Sequence, residues 1–237
     1  MRRIGTRRGS PKAATARDTS AALLVGRRAP AALGFRVRSG RATAVLLVSA
    51  PGPGVPTVAD RREVLLSDPA LPPTRQPYHA VLEASGPAAA RLERRLVSVV
   101  RRAARTSVRT LLRAYRAAGH RPRRAALVVG SVIAPATIAN DHIRAHALEG
   151  RLFRIVLEEA LRSEGLACIT VVERQAYALA ARVLRRPERT LRREVTDLGR
   201  PLAGPWRAEE KTATLGAWMA LGAPPTRRGR PGRRLPG

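Results

Sequence analysis

The chain of 237 residues lacks most of the features that narrow a protein's biology quickly. It has one cysteine, Cys168, so no disulfide framework exists and a reducing compartment, the cytoplasm, is expected. No apolar run approaches the roughly 18 residues that a membrane span needs, so no membrane partner is expected. Aromatic residues make up 3%, which leaves alanine, leucine and valine to fill the core. Acidic residues are scarce, 17 against 45 Lys+Arg, for a net charge of +28. Lysine is nearly missing too, with only Lys12 and Lys211. Arginine in place of lysine is what GC-rich coding produces, so the choice of base says little. The excess over acids says more and points to a polyanion partner. There is no phosphate-cradling glycine loop, since Gly52 and Gly54 sit among prolines, and no Ser/His/Asp or Cys/His set assembles from the spacing.

What is present is unevenly distributed. Residues 1–41 contain one acid, Asp18, and residues 224–237 none. Residues 1–30 are Arg-, Ala- and Ser-rich without a sustained period; they imitate a transit peptide and read equally as a disordered basic arm or an upstream extension. The expected organisation is a basic arm over 1–30, one domain over 31–222 and a Pro/Gly/Arg-rich basic tail over 223–237.

Within the domain, strands are expected at 32–37, 42–49 and 58–67, with turns at Ser39-Gly40 and at residues 51–54. That is an antiparallel meander. Residues 68–77, DPALPPTRQP, carry too much proline for regular structure and read as a connection. Residues 87–118 are helical in pattern and stop at Gly119. On a helical wheel Leu92, Leu96, Val99, Val100, Ala103, Leu111 and Tyr115 share an apolar half. Arg91, Arg95, Arg102, Arg105, Arg109, Arg113 and Arg116 share the other, a ridge about 37 Å long at 1.5 Å per residue. Like charges so close cost helix stability unless neutralised, and phosphates along a nucleic-acid backbone would do it. A merely solvated arginine face is the plain alternative. No aromatic interleaves the arginines, so a base-stacking platform is not indicated.

Residues 124–173 read as strand, loop, long helix and strand. The helix is opened by Pro135, Thr137, Asn140 and Asp141 and closed by Gly165 after Glu164. Arg144, Arg151, Arg154, Glu158 and Arg162 form its solvent stripe. Phe153, Val156, Leu157 and Ala160 form its core stripe, and His142, His146 and Glu149 continue that core stripe toward the helix start. Two imidazoles at i and i+4 and a carboxylate at i+7 can chelate a metal such as zinc or manganese, act as an acid/base pair, or tie down the loop before the helix. Cys168 falls in an apolar strand, 167–172, and reads as a core residue. Helices are then expected at 173–185, 190–198 and 206–221, the last with Glu209, Ala213, Gly216 and Ala220 on one small-residue face.

This order of elements resembles the ribonuclease H-like fold, an α/β mixed sheet of an antiparallel three-strand meander plus parallel strands with flanking helices. Gly199-Arg200 and the run Arg207-Ala208-Glu209-Glu210-Lys211 are similar to the Gly-Arg-Ala-Asp-Lys-type segment that leads into the final helix of RuvC-type Holliday-junction resolvases. The stretches 138–153 and 206–211 also resemble the signature of a bacterial protein family. The resemblance implies two divalent metals, magnesium or manganese, held by carboxylates on the first strand, near the fourth strand and on the final helix. Carried over, the first position falls on Arg36, the second at Gly130-Ser131 and the third on Glu209 or Glu210, so only the last is acidic. Glu83 and Asp141 are candidates to substitute in space.

The leading expectation is therefore a nucleic-acid-binding protein, DNA or RNA, with homodimer formation as a second expectation. A metal-dependent nuclease version would use Glu149, Glu209 and His146 as catalytic groups, with His142, His146, Glu149 and Glu209 as metal ligands. The competing readings are a non-catalytic scaffold with a degraded site and a small-molecule enzyme using the histidines as acid and base.

Overall fold

The computed structural model describes residues 29–52 and 54–222. All but the last two residues of the expected basic arm, and the whole expected tail, lie outside the described residues. In chain order the elements are β1 (Ala31–Arg38), β2 (Arg41–Val48), β3 (Thr57–Leu65), α1 (Gly86–Ala117), β4 (Arg124–Val129), α2 (Asp141–Ser163), β5 (Ala167–Val172), α3 (Ala176–Leu184), α4 (Glu188–Asp197) and α5 (Ala208–Gly222). The five strands form one mixed sheet in the order β3-β2-β1-β4-β5. β1, β2 and β3 pair antiparallel, with Ala31 opposite Val48. β4 runs parallel to β1, with Ala32 beside Arg124, and β5 runs parallel to β4. A three-strand meander extended by two parallel strands, with helices on both faces, is the ribonuclease H-like arrangement expected from the sequence.

The strands form where β-branched and other apolar residues run together, and the pleat sends alternate residues to opposite faces. Leu33, Phe35 and Val37 of β1 meet Val100, Ala104 and Val108 of α1 and Phe153, Val156 and Leu157 of α2. On the other face Val45, Leu47, Val128 and Val171 meet α3, α4 and α5. Phe35 and Phe153, both fully buried, each contribute roughly 2 kcal/mol or more through the area they remove from water. α2 begins where Asn140 accepts a hydrogen bond from the Ile143 N–H at 2.9 Å, and it stops at Gly165, whose φ of +85° an L side chain resists.

α5 packs on β1 more closely than side chains would allow. A Cβ added to Gly34 would lie 1.8 Å from the Ala213 carbonyl oxygen, so the helix and strand backbones touch directly there. Ala213, Gly216 and Ala220 form the expected small-residue face, and they bring the start of α5, with Glu209, against the edge of β1 and β2.

Four details depart from the sequence reading. On α1, Leu92 is exposed and Ala104, not Ala103, lies in the core, because a wheel of uniform pitch drifts along a long helix. β5 is an edge strand with Ile169 exposed, and Cys168 is only half-buried; a short apolar run does not reveal whether a strand will have neighbours on both sides. Burial still pushes the Cys168 thiol up to about 11, with the Glu158 charge adding to it. Residues 173–175 form a 3-10 turn, so α3 starts at Ala176. His142 and His146 are exposed, because the sheet ends before the first turns of α2. Among the described residues no helix is long and apolar enough to cross a membrane.

Candidate functional site

At the carboxyl ends of β1 and β4 the chain leaves the sheet in two directions, and a cleft of about 560 Å³ opens between those ends and α2. Open α/β sheets place their ligands in such crevices. Arg36, Arg38, Arg151, Arg154 and His146 line it, and none of its lining residues is acidic. Arg151 and Arg154, expected on the solvent face of α2, thus face this opening. Val132 and Ile133, both more than half exposed, form its apolar rim on the loop after β4.

The residues at the positions implied for two metals do not fit metals. Arg36 is 2% exposed, and its guanidinium makes a two-pronged pair with Glu173: Nε donates to Oε1 at 3.0 Å and Nη2 to Oε2 at 2.5 Å. Its Nη1 also donates to the Val37 carbonyl at 2.8 Å. A buried cation fixed on three acceptors leaves no place for a second cation beside it. Gly130 and Ser131 supply no carboxylate. Glu209 does reach the sheet, but its Oε1 accepts from Arg38 at 3.0 Å, with Arg41 at 3.9 Å, and its Oε2 accepts from Thr43 at 3.0 Å. Partial burial would raise the Glu209 carboxyl; the hydrogen bonds from Arg38 and Thr43 outweigh it and hold the group below its ordinary range.

A different cluster assembles on the α2 side. His79 stands in a turn of the connection between β3 and α1, a segment fastened by buried Thr74, whose hydroxyl donates to the Leu71 carbonyl at 2.7 Å and accepts from the Asp68 N–H at 2.9 Å. His142 and His146, one turn apart on α2, meet it. Ring centroids lie 4.7 Å (His79 to His142), 4.2 Å (His79 to His146) and 4.7 Å (His142 to His146) apart. One nitrogen from each ring falls within 4.8 Å of the others. Glu149 is 0% exposed, and its Oε1 lies 2.7 Å from His79 Nδ1 and 3.3 Å from the His79 N–H. Its Oε2 has no hydrogen-bond partner among the described residues, and His146 Nδ1 is 3.9 Å away.

The expected site residues therefore divide. His142, His146 and Glu149 come together, whereas Glu209 belongs to the opposite face of the sheet, among arginines, and cannot share a metal with them. Glu83 and Asp141 do not join either group; Asp141 pairs with Arg144. The sequence reading missed His79, because a proline-rich connection has no period to place it on a face. The available signal was a carboxylate at position 149 aimed inward without a partner of its own.

The arginine ridge on α1 is exposed along its length, with all seven expected residues on the surface. Its two ends differ. Arg109 and Arg116 reach Glu164 of α2, at 3.7 and 2.9 Å, which fastens the helices together and uses those charges. Arg91, Arg95, Arg102, Arg105 and Arg113 make no ion pair with a described residue.

Neither a protein-family model nor a curated protein sequence matches the chain. Among solved structures, that of Thermus thermophilus RuvC is similar over 80% of this chain and 92% of its own, at 10% identity and a TM-score of 0.46. T. thermophilus RuvC in complex with Holliday junction substrate matches over 80% and 91%, at 10% identity and 0.45. The yeast mitochondrial Holliday junction resolvase Ydc2 matches over 90% and 85%, at 8% identity and 0.38.

Proposed function

We propose that the chain is a nucleic-acid-binding protein that grips the sugar-phosphate backbone through α1. The observation that carries this is the row Arg91, Arg95, Arg102, Arg105 and Arg113, exposed and without ion pairs to described residues, in a chain of net charge +28. The row spans about 33 Å, close to one turn of duplex. Like charges this close on one helix cost stability unless they are neutralised, and a polyanion that releases its own counter-ions on contact neutralises them and gains affinity. Arg151, exposed at the mouth of the cleft, extends the basic surface onto α2.

The geometry supports binding more directly than cutting. Two-metal hydrolysis needs several carboxylates at the β1 centre, and here that centre holds Arg36. The test is fluorescence anisotropy with labelled duplex, branched and single-stranded DNA and RNA across a salt series, with magnesium or manganese arms read on a gel for cleavage. Arg102→Glu/Arg105→Glu/Arg113→Glu should weaken binding and reduce the slope of log affinity against log salt by about 0.9 for each phosphate that is no longer neutralised. An unchanged slope would remove α1 from the interface. Metal-dependent cutting that survives intact Arg36 would show that the chemistry lies elsewhere in the molecule.

A further inference from the structure

We propose that His79, His142 and His146 form a binding site for one transition-metal ion of the zinc class, with Glu149 as the positioning residue behind His79. Three of the four histidines in the chain converge on this spot from segments more than sixty residues apart. Their spacing on α2, i and i+4, puts His142 and His146 on one face, and the His79 turn closes the third side.

The hydrogen bonding distinguishes a ligand set from a structural cluster. A buried carboxylate at 2.7 Å from His79 Nδ1 places a proton on that nitrogen, and in the neutral ring this tautomer keeps the Nε2 lone pair for a ligand. His79 Nε2 is buried and has no hydrogen-bond partner among the described residues. An orphaned acceptor of this kind is costly, and a cation placed between the rings removes the cost. Glu149 Oε2 is orphaned as well among the described residues, so the fully buried carboxyl group has only the His79 imidazole and a backbone N–H beside it. A cation held by that imidazole supplies the missing positive charge through the ring, the carboxylate-histidine-metal relay of many metal sites. Protonated imidazoles at these separations would instead repel one another. The tilted and edge-on ring contacts, at 57°, 81° and 86°, do not bond the rings to each other.

The donors choose the ion. Three imidazole nitrogens suit zinc, cobalt, nickel or copper; magnesium and calcium demand oxygen. Three protein ligands leave one position for water or an anion oxygen. His142 and His146 are exposed while His79 is not, so the open side faces solvent, and His146 places it at the rim of the arginine-lined cleft. A phosphate oxygen is the anion chemistry that this neighbourhood fits. The metal site itself does not depend on the nucleic-acid reading and is tested without nucleic acid.

The experiment is titration of the chelator-stripped, full-length chain, free of any histidine tag, with zinc by calorimetry and with cobalt by visible absorption. One equivalent should bind, with the intense cobalt bands of a four-coordinate nitrogen site, and magnesium should not compete. His142→Ala/His146→Ala should abolish this binding, and His120→Ala should leave it unchanged. Glu149→Gln keeps an acceptor for Nδ1 but loses the charge, so it should weaken zinc about 10- to 100-fold while the circular dichroism of the metal-free chain stays the same. If His142→Ala/His146→Ala does not fold, His142→Gln alone replaces it, with the same expected loss of affinity. Absence of stoichiometric binding, equal binding by the histidine variants, or loss of binding in His120→Ala would each overturn the assignment.

Discussion

On the α5 face of the sheet, Glu173 and Glu209 are met by guanidinium groups projecting from β1. On the α2 side, Glu149 is met only by imidazole and a backbone N–H. In the first arrangement every carboxylate oxygen accepts a hydrogen bond, and the helix that carries Glu209 touches the strand backbone. The second is unfinished, with two orphaned polar atoms among three rings. What a carboxylate does in this fold depends on what stands opposite it, and the identity of the acid alone does not tell.

If the α5 face is a closed structural contact, damage there should be severe. Gly34→Val gives the largest expected effect, since its side chain would occupy the space of the Ala213 carbonyl. We expect a loss of more than about 3 kcal/mol or failure to fold, read by urea unfolding. A near-native midpoint would show that α5 can shift and that the two faces differ less than they look. Next comes Glu173→Ala, which leaves the Arg36 guanidinium buried without its partner. Because Glu173 is 41% exposed, the expected loss is about 2 kcal/mol, below the range for fully buried pairs. Arg36→Met sharpens the same point: it fills similar space without a charge and should cost less than Glu173→Ala, and a stabilised variant would mean that Arg36 is kept for a ligand in the cleft. The smallest effect concerns Glu209, whose lowered carboxyl favours the folded state. That contribution is present above the unfolded value and disappears as pH falls through the folded one. Glu209→Gln should therefore cost under about 1 kcal/mol at neutral pH, and the gap from wild type should close toward acid, measured by denaturant midpoints at stepped pH. A gap that widened toward acid would reverse the sign assigned to its arginine partners.

The same contrast explains which parts were legible in the sequence. The meander could be read because Ser39-Gly40 separates two apolar runs of strand length, and α1 and α2 because their periods persist over many turns. The small-residue face of α5 was visible, and with it the approach of Glu209 to the sheet. Its partners were not, because Arg38, Arg41 and Thr43 become neighbours of Glu209 only through a pairing across some 170 residues. Glu149 was readable as buried from its helical phase. His79 was not, since nothing local in a proline-rich segment fixes direction, and only the folded connection carries it to α2.

The parallel pairing of β1 with β4 also governs the order of assembly. β1 and β2 meet across a two-residue turn and can zip together at once, but the other edge of β1 must wait until α1 has been made and Arg124 arrives beside Ala32. Closing that interval carries an entropic cost before any contact repays it. Until then a nascent chain presents Leu33, Phe35 and Val37 on a strand with one unpaired edge, the kind of surface that sticks to other chains. In the finished fold α1, encoded between the two strands, covers that surface, with Val100, Ala104 and Val108 in one cluster with Leu33, Phe35 and Val37.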